Sequence, residues 1–124
     1  MVVLVDSITH IDGNSDTCGE ICSIGIVTVS DRASTGEYQD EGGPAILEFL
    51  KEGVASPVKV HYVCVPDELS QISAQLIQMS DKHGCSVIVT TGGTGPATRD
   101  VTPEATTAVC DQILPGFGEQ MRAV

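Results

Sequence analysis

The stretch TTGGTGPATRDVTPEAT, residues 90–106, follows the apolar triplet Val87, Ile88 and Val89, and its reading decides the fold. A short β-branched run, then three glycines within four residues (Gly92, Gly93, Gly95), then Thr102 and Pro103, reads as strand, loop and helix start. Glycine contributes no side-chain chemistry, so its use here is conformational: backbone angles closed to other residues, or close approach by a ligand. The unbroken apolar run of residues 86–91 is the pattern of a strand covered on both faces, which is how strands of parallel sheets are buried.

The same alternation repeats on the N-terminal side. Ile24, Ile26, Val27 and Val29 predict a first strand closed by Ser30 and Asp31. The polar segment DRASTGEYQDEGG, residues 31–43, reads as a loop in which Glu37, Asp40 and Glu41 are most simply solvated, although its place after the first strand also allows it to fold over a site there. Pro44 fits the first position of a helix that Gly53 stops. Residues 58–65 predict a second strand ending at Pro66, and Asp67 sits where an N-cap belongs, ahead of a helix carrying Leu69, Ile72, Leu76, Ile77 and Met79. Thr102 is expected to cap the last helix, through about Asp111. The order β-α-β-α-β-α predicts an α/β domain with a parallel sheet and right-handed crossovers. Residues 1–22 show no sustained period and read as an N-terminal extension to a single domain over 23–124.

In such sheets ligands bind beyond the carboxyl ends of the strands. Three polar clusters emerge there: Ser30-Asp31-Arg32, Pro66-Asp67-Glu68, and the Gly92, Gly93, Thr94, Gly95 loop with Arg99 and Asp100 behind it. The loop has neither the lysine of G-x-x-x-x-G-K-[ST] nor the spacing G-x-G-x-x-G, so the glycines alone leave a tight turn and a phosphate cradle both open. Asp67 and Asp100 are the carboxylates with the chemistry to hold Mg²⁺ between themselves and phosphate oxygens. His61 reads as a strand-face residue and His83 as the complement of a helix C-terminus.

Composition narrows the classes. Of 124 residues, 17 are acidic and 6 are Lys or Arg, a net charge of -11, and aromatics make up 3%; such a chain repels nucleic acid and offers bases little to stack on. No apolar run approaches a membrane span, and the apolar start MVVLV lacks the basic flank of a secretory signal, so the expected location is the cytoplasm. The five cysteines, odd in number and scattered, read as reduced thiols; Cys18 and Cys22 with nearby His10 make only a weak metal signature.

Four segments in this order, IVTVSDRASTGEYQDEGGP, VPDE, TTGGTGPATRDVTPEAT and PGFGEQMR, resemble the molybdopterin adenylyltransferase family over residues 24–122. The resemblance implies a three-layer α/β/α domain, a homotrimer, that uses Mg²⁺ and ATP to transfer AMP to molybdopterin and passes the product to a molybdenum-insertion partner. It implies that Asp67 and Asp100 are catalytic and metal-binding. It implies further that Gly92, Gly93, Thr94 and Gly95 line the nucleotide and pterin phosphates, with Ser30 and Asp31 binding substrate at the neighbouring strand exit and Arg99 balancing charge there. A non-catalytic molybdopterin- or nucleotide-binding module is the alternative, and a nucleotide-processing enzyme of the same fold acting on another substrate is a third reading. Family members continue beyond PGFGEQMR with a Ser-Arg segment and a strand ending Leu-Pro-Gly-x-Pro, so the domain is expected to be incomplete at its C-terminus, with an uncovered edge beside the third predicted strand.

Overall fold

The computed structural model describes residues 2–4 and 21–124. Its elements are β1 (Val2–Leu4), β2 (Cys22–Val29), α1 (Asp31–Ser34), α2 (Gly42–Gly53), β3 (Val58–Val65), α3 (Leu69–Asp81), β4 (Val87–Thr91), α4 (Thr102–Val109) and α5 (Pro115–Ala123). The sheet order is β1-β4-β2-β3, with β2 parallel to both β3 and β4 and β1 antiparallel to β4.

Strand alternation divides the core between two helical layers. Val27 and Val29 point to the face covered by α3 and α4, where they join Ile72, Leu76, Met79, Ile88 and Ala105. Gly25 points the same way, and a Cβ there would stand 2.6 Å from the Met79 sulfur, so the residue is glycine because α3 lies close to the sheet. Thr28 points to the opposite face and meets Asp40 and Gly43 at the start of α2. Helices on both faces of a mostly parallel sheet make the three-layer α/β/α architecture expected from the resemblance. At the outer strand, the His61 ring stacks on His83 with centroids 4.3 Å apart, linking β3 to the turn after α3.

Four expectations change. Val2–Leu4 forms a strand, registered Val2 to Val89 and Leu4 to Val87, so β4 is an interior strand and the edge predicted to be bare beside it is covered. The strand is three residues long, too short for its pattern to show a period, which is why the sequence reads as an extension there. The predicted loop after the first strand contains the one-turn helix α1, closed by Ser30 as N-cap. α2 begins at Gly42, two residues before Pro44; proline is tolerated there because the first-turn N–H groups have no partner inside the helix. α4 is preceded by Val101, with Thr102 inside the helix, and it ends at Val109. Cys22, Cys64, Cys85 and Cys110 are free thiols; Cys18 and His10 lie outside the described residues.

Candidate active site

The parallel register of β2 and β3 pairs Val29 with Val65. Two residues further on, the same offset places Asp31 opposite Asp67, and the pair exchanges hydrogen bonds. The Asp31 N–H donates to Asp67 Oδ2 at 2.8 Å, and the Asp67 N–H donates to Asp31 Oδ1 at 3.0 Å. Asp67 is therefore not the N-cap of α3; Glu68 occupies that position without a side-chain bond. The expectation failed because a competing backbone donor, brought in by strand pairing, takes the carboxylate that a local cap would use. Arg99 reaches back across the site and grips Asp31 with two bonds, Nε to Oδ2 at 3.0 Å and Nη2 to Oδ1 at 2.8 Å, with Glu68 Oε1 4.0 Å away. The Arg99 guanidinium, and after it the Asp67 N–H, hold the Asp31 carboxyl below the usual carboxylate range.

At the end of β4 the chain turns through Gly92 and Gly93, with φ of +89° and +61°. A Cβ on Gly92 would run into the carbonyl oxygen of Val29, and one on Gly93 would meet the Thr102 hydroxyl and lie 2.9 Å from Asp67 Oδ1. Both glycines are needed, then, for sign of φ and for space. Thr102 fastens this turn to α4: its hydroxyl donates to the Gly92 carbonyl at 3.0 Å and its N–H to the Gly93 carbonyl at 3.0 Å. The carbonyls are thus consumed, whereas among the described residues the N–H groups of Gly93, Thr94 and Gly95 have no protein acceptor. Asp100 closes the loop on itself, its Oδ2 accepting from the Ala97 N–H at 3.0 Å and standing 2.8 Å from where a Gly95 Cβ would be.

The predicted site residues thus gather at the carboxyl ends of β2, β3 and β4. Asp67 lies beside Gly93, and Asp100 lies beside Gly95 further along the same loop. Thr94 is exposed. Among the described residues no group of three or more His, Cys, Asp and Glu is gathered to hold a metal. What the chain offers is Asp67 Oδ1, which accepts no hydrogen bond among the described residues, and the remaining oxygen of Asp100. That donor set suits a hard cation that takes one or two carboxylates and completes its shell with ligand oxygens and water, as Mg²⁺ does.

An open cleft of about 340 Å³ adjoins the loop, lined by residues that include Ser30, Tyr38, Asp40, Gly42 and Gly92. Asp40, expected to be part of a solvated loop, is instead the most heavily hydrogen-bonded carboxylate of the cleft. It accepts from the Thr28 hydroxyl at 2.8 Å, from Gly42 N–H at 3.0 Å, from Gly43 N–H at 3.3 Å, and from the Tyr62 hydroxyl in a short bond. The sequence signal that could have found it is an aspartate just ahead of Gly-Gly-Pro at a helix start, where a carboxylate satisfies first-turn N–H groups. Burial alone would raise the Asp40 carboxyl, but the bonds from Tyr62, Thr28, Gly43 and Gly42 outweigh it and the net displacement is downward. Burial first, and then Asp40, push the Tyr62 phenol up to about 12.

These directions give a stability prediction. A carboxyl depressed in the folded state contributes fully above its unfolded value, about 3.9, and the contribution is lost as pH falls through the folded value. Asp40→Asn is expected to weaken the acid-induced loss of stability below about pH 4. Tyr62→Phe, at a residue 48% exposed, is expected to cost about 1 kcal/mol at neutral pH. Chemical denaturation of both variants between pH 3 and 8 reads the two effects; a Tyr62→Phe protein as stable as the parent would show that the hydroxyl contributes nothing.

Comparison with known proteins places the chain in a family. The pattern of the probable molybdopterin binding domain family matches residues 25–124. The molybdopterin adenylyltransferase of Helicobacter pylori J99 is 54% identical over 99 residues, covering 80% of this chain and 56% of that protein. The Escherichia coli K12 protein of the same name is 50% identical over 101 residues, covering 82% and 52%. The crystal structure of the molybdopterin biosynthesis enzyme MoaB from Thermus thermophilus superimposes with a TM-score of 0.75 at 44% identity, over 84% of this chain and 64% of that one. The chain spans about half the length of the curated relatives it matches. With a family match across four-fifths of its length, on a fold shared with MoaB, the chain belongs to the probable molybdopterin binding domain family.

Proposed function

We propose that this chain acts in molybdenum cofactor biosynthesis as a molybdopterin adenylyltransferase, moving AMP from ATP to the terminal phosphate of molybdopterin. The observation that carries the reading is the meeting of Asp67 Oδ1 with a glycine turn whose next N–H groups have no protein acceptor among the described residues. An oxygen of the molybdopterin phosphate forms a bond to the α-phosphorus of ATP, the bond from that phosphorus to the β-phosphate bridge breaks, and pyrophosphate leaves with the electron pair. A phosphate nucleophile is already ionised, so the chain's task is charge stabilisation and alignment.

Each group has a part in this. The N–H groups of Gly93, Thr94 and Gly95 donate to phosphate oxygens, as unpaired backbone donors of a turn do. Asp67 and Asp100 would hold Mg²⁺, which when bound supplies the positive charge that lets carboxylates and phosphates share one site. Arg99 brings a fixed cation to the rim, and Ser30 and Asp31 shape the neighbouring strand exit. In a chain of net charge -11 this local supply of donors and cations is what makes an anionic substrate admissible.

The names of the relatives support the substrates. Assembly as a homotrimer, a molybdenum-insertion partner and a cytoplasmic location belong to the same reading. Exposed Phe49, Ile113, Leu114, Phe117 and Met121 supply apolar area for association, and no described helix is long and apolar enough to cross a membrane.

A binding module without chemistry is the second reading, favoured by the engagement of Asp100 Oδ2 with its own loop. Asp100→Ala separates the two. The expected result is molybdopterin affinity within about threefold of the parent and turnover lowered at least about a hundredfold, read by fluorescence titration and by pyrophosphate release. Equal losses of affinity and turnover would assign Asp100 to binding alone.

A further inference from the structure

Of the two carboxylates that exchange hydrogen bonds at the strand exits, only Asp67 faces the glycine turn. We infer that Asp31 is a positioning residue, whose carboxylate holds the Asp67 backbone in place so that Asp67 Oδ1 stays aimed at Gly93. The inference rests on the adenylyl-transfer reading above. It gives Asp31 a role that acts through Asp67, in place of the substrate-binding role at the strand exit implied by the family resemblance.

The geometry argues for this step by step. Both Asp31 oxygens are occupied: Oδ1 receives the Asp67 N–H at 3.0 Å and Arg99 Nη2 at 2.8 Å, and Oδ2 receives Arg99 Nε at 3.0 Å. A carboxylate with its lone pairs directed at a planar guanidinium and a backbone N–H is a poor further ligand for an anion, which it would repel. Its own N–H meanwhile fixes Asp67 Oδ2 at 2.8 Å. Two bonds of opposite direction, one to the backbone N–H and one to the side chain of Asp67, leave that residue little freedom of φ or χ1. The free oxygen is thereby set 2.9 Å from the position of a Gly93 Cβ. Neither bond is part of a ladder; both follow from the offset of 36 residues that the Val29 to Val65 register imposes. Arg99 completes the arrangement by tying the loop behind Gly95 to the exit of β2, and Glu68, 4.0 Å from its Nη2, is its other acidic neighbour.

The test uses the whole chain with Asp31→Ala and Asp31→Asn. Alanine removes the acceptor of the Asp67 N–H; asparagine is isosteric and keeps an oxygen in place, so it also guards against a variant that fails to fold. The first readout is hydrogen exchange at the Asp67 amide by NMR in the absence of any ligand. Protection is expected to fall about tenfold or more in Asp31→Ala and to be largely kept in Asp31→Asn. The second readout is steady-state pyrophosphate release with Mg²⁺, ATP and molybdopterin. In Asp31→Ala, kcat is expected to fall about a hundredfold with KM for ATP within about threefold, as for a misaligned group, and Asp31→Asn is expected to recover about tenfold of the loss.

Unchanged Asp67 amide protection in Asp31→Ala would overturn the inference whatever turnover does. So would lost protection with an unchanged kcat, or a rise in KM alone, which would mark Asp31 as a substrate contact. A parent chain that releases no pyrophosphate, while the amide responds as expected, would refute the adenylyl-transfer reading and leave the hold of Asp31 on Asp67 established.

Discussion

Gly92→Ala is expected to destabilise the fold by about 3 kcal/mol or more, lowering the thermal midpoint by roughly 10 to 20 °C. The native φ of +89° costs an L-residue about 1 to 2 kcal/mol by itself. The larger part comes from the collision of the new Cβ with the Val29 carbonyl oxygen, behind which the carbonyl carbon stands at 3.2 Å. These atoms belong to the last residue of β2, registered with Val65, and cannot withdraw without disturbing that pairing. Gly36→Ala is the matched comparison: φ is +80°, but nothing lies within 4 Å of its Cβ, so only the conformational cost of about 1 to 2 kcal/mol remains. Calorimetry of the two proteins separates the terms. Equal midpoints would mean that space at Gly92 is not what demands glycine.

Asp67→Asn is expected to lower adenylyl transfer by about 10² to 10³ while leaving the thermal midpoint within a few degrees. The amide oxygen can still accept the Asp31 N–H, which preserves the junction of β2 and β3, but the NH₂ group then faces Gly93 and the loop beyond it. A donor without charge replaces the carboxylate oxygen that would hold Mg²⁺. Asp67→Ala goes further, leaving the Asp31 N–H without its acceptor at a cost of about 1 to 2 kcal/mol. Turnover of Asp67→Asn within threefold of the parent would remove Asp67 from the reaction.

The architecture was legible because its determinants are local. β-branched runs mark β2, β3 and β4; glycine and proline punctuation marks the ends of the helices; and their alternation dictates a parallel sheet whose carboxyl ends share one edge. The glycine turn was legible for the same reason. What escaped depends on pairing over distance. Asp67 looks like a cap until the register of β2 and β3 brings the Asp31 N–H to it. Asp40 looks solvated until Thr28 and Tyr62, from two different strands, converge on it. Val2–Leu4 is too short to announce a strand, and only its antiparallel pairing with β4 makes it one. In each case the side chain's identity was plain and its partner was not, since hydrogen bonds between chain segments follow from strand register, which no single segment encodes.

Joining of AMP to molybdopterin by this chain is read most directly as release of pyrophosphate from ATP by the 124-residue protein. The expected result is release that requires both Mg²⁺ and molybdopterin and is matched mole for mole by adenylyl-molybdopterin. No release from a folded protein that still binds molybdopterin would contradict it.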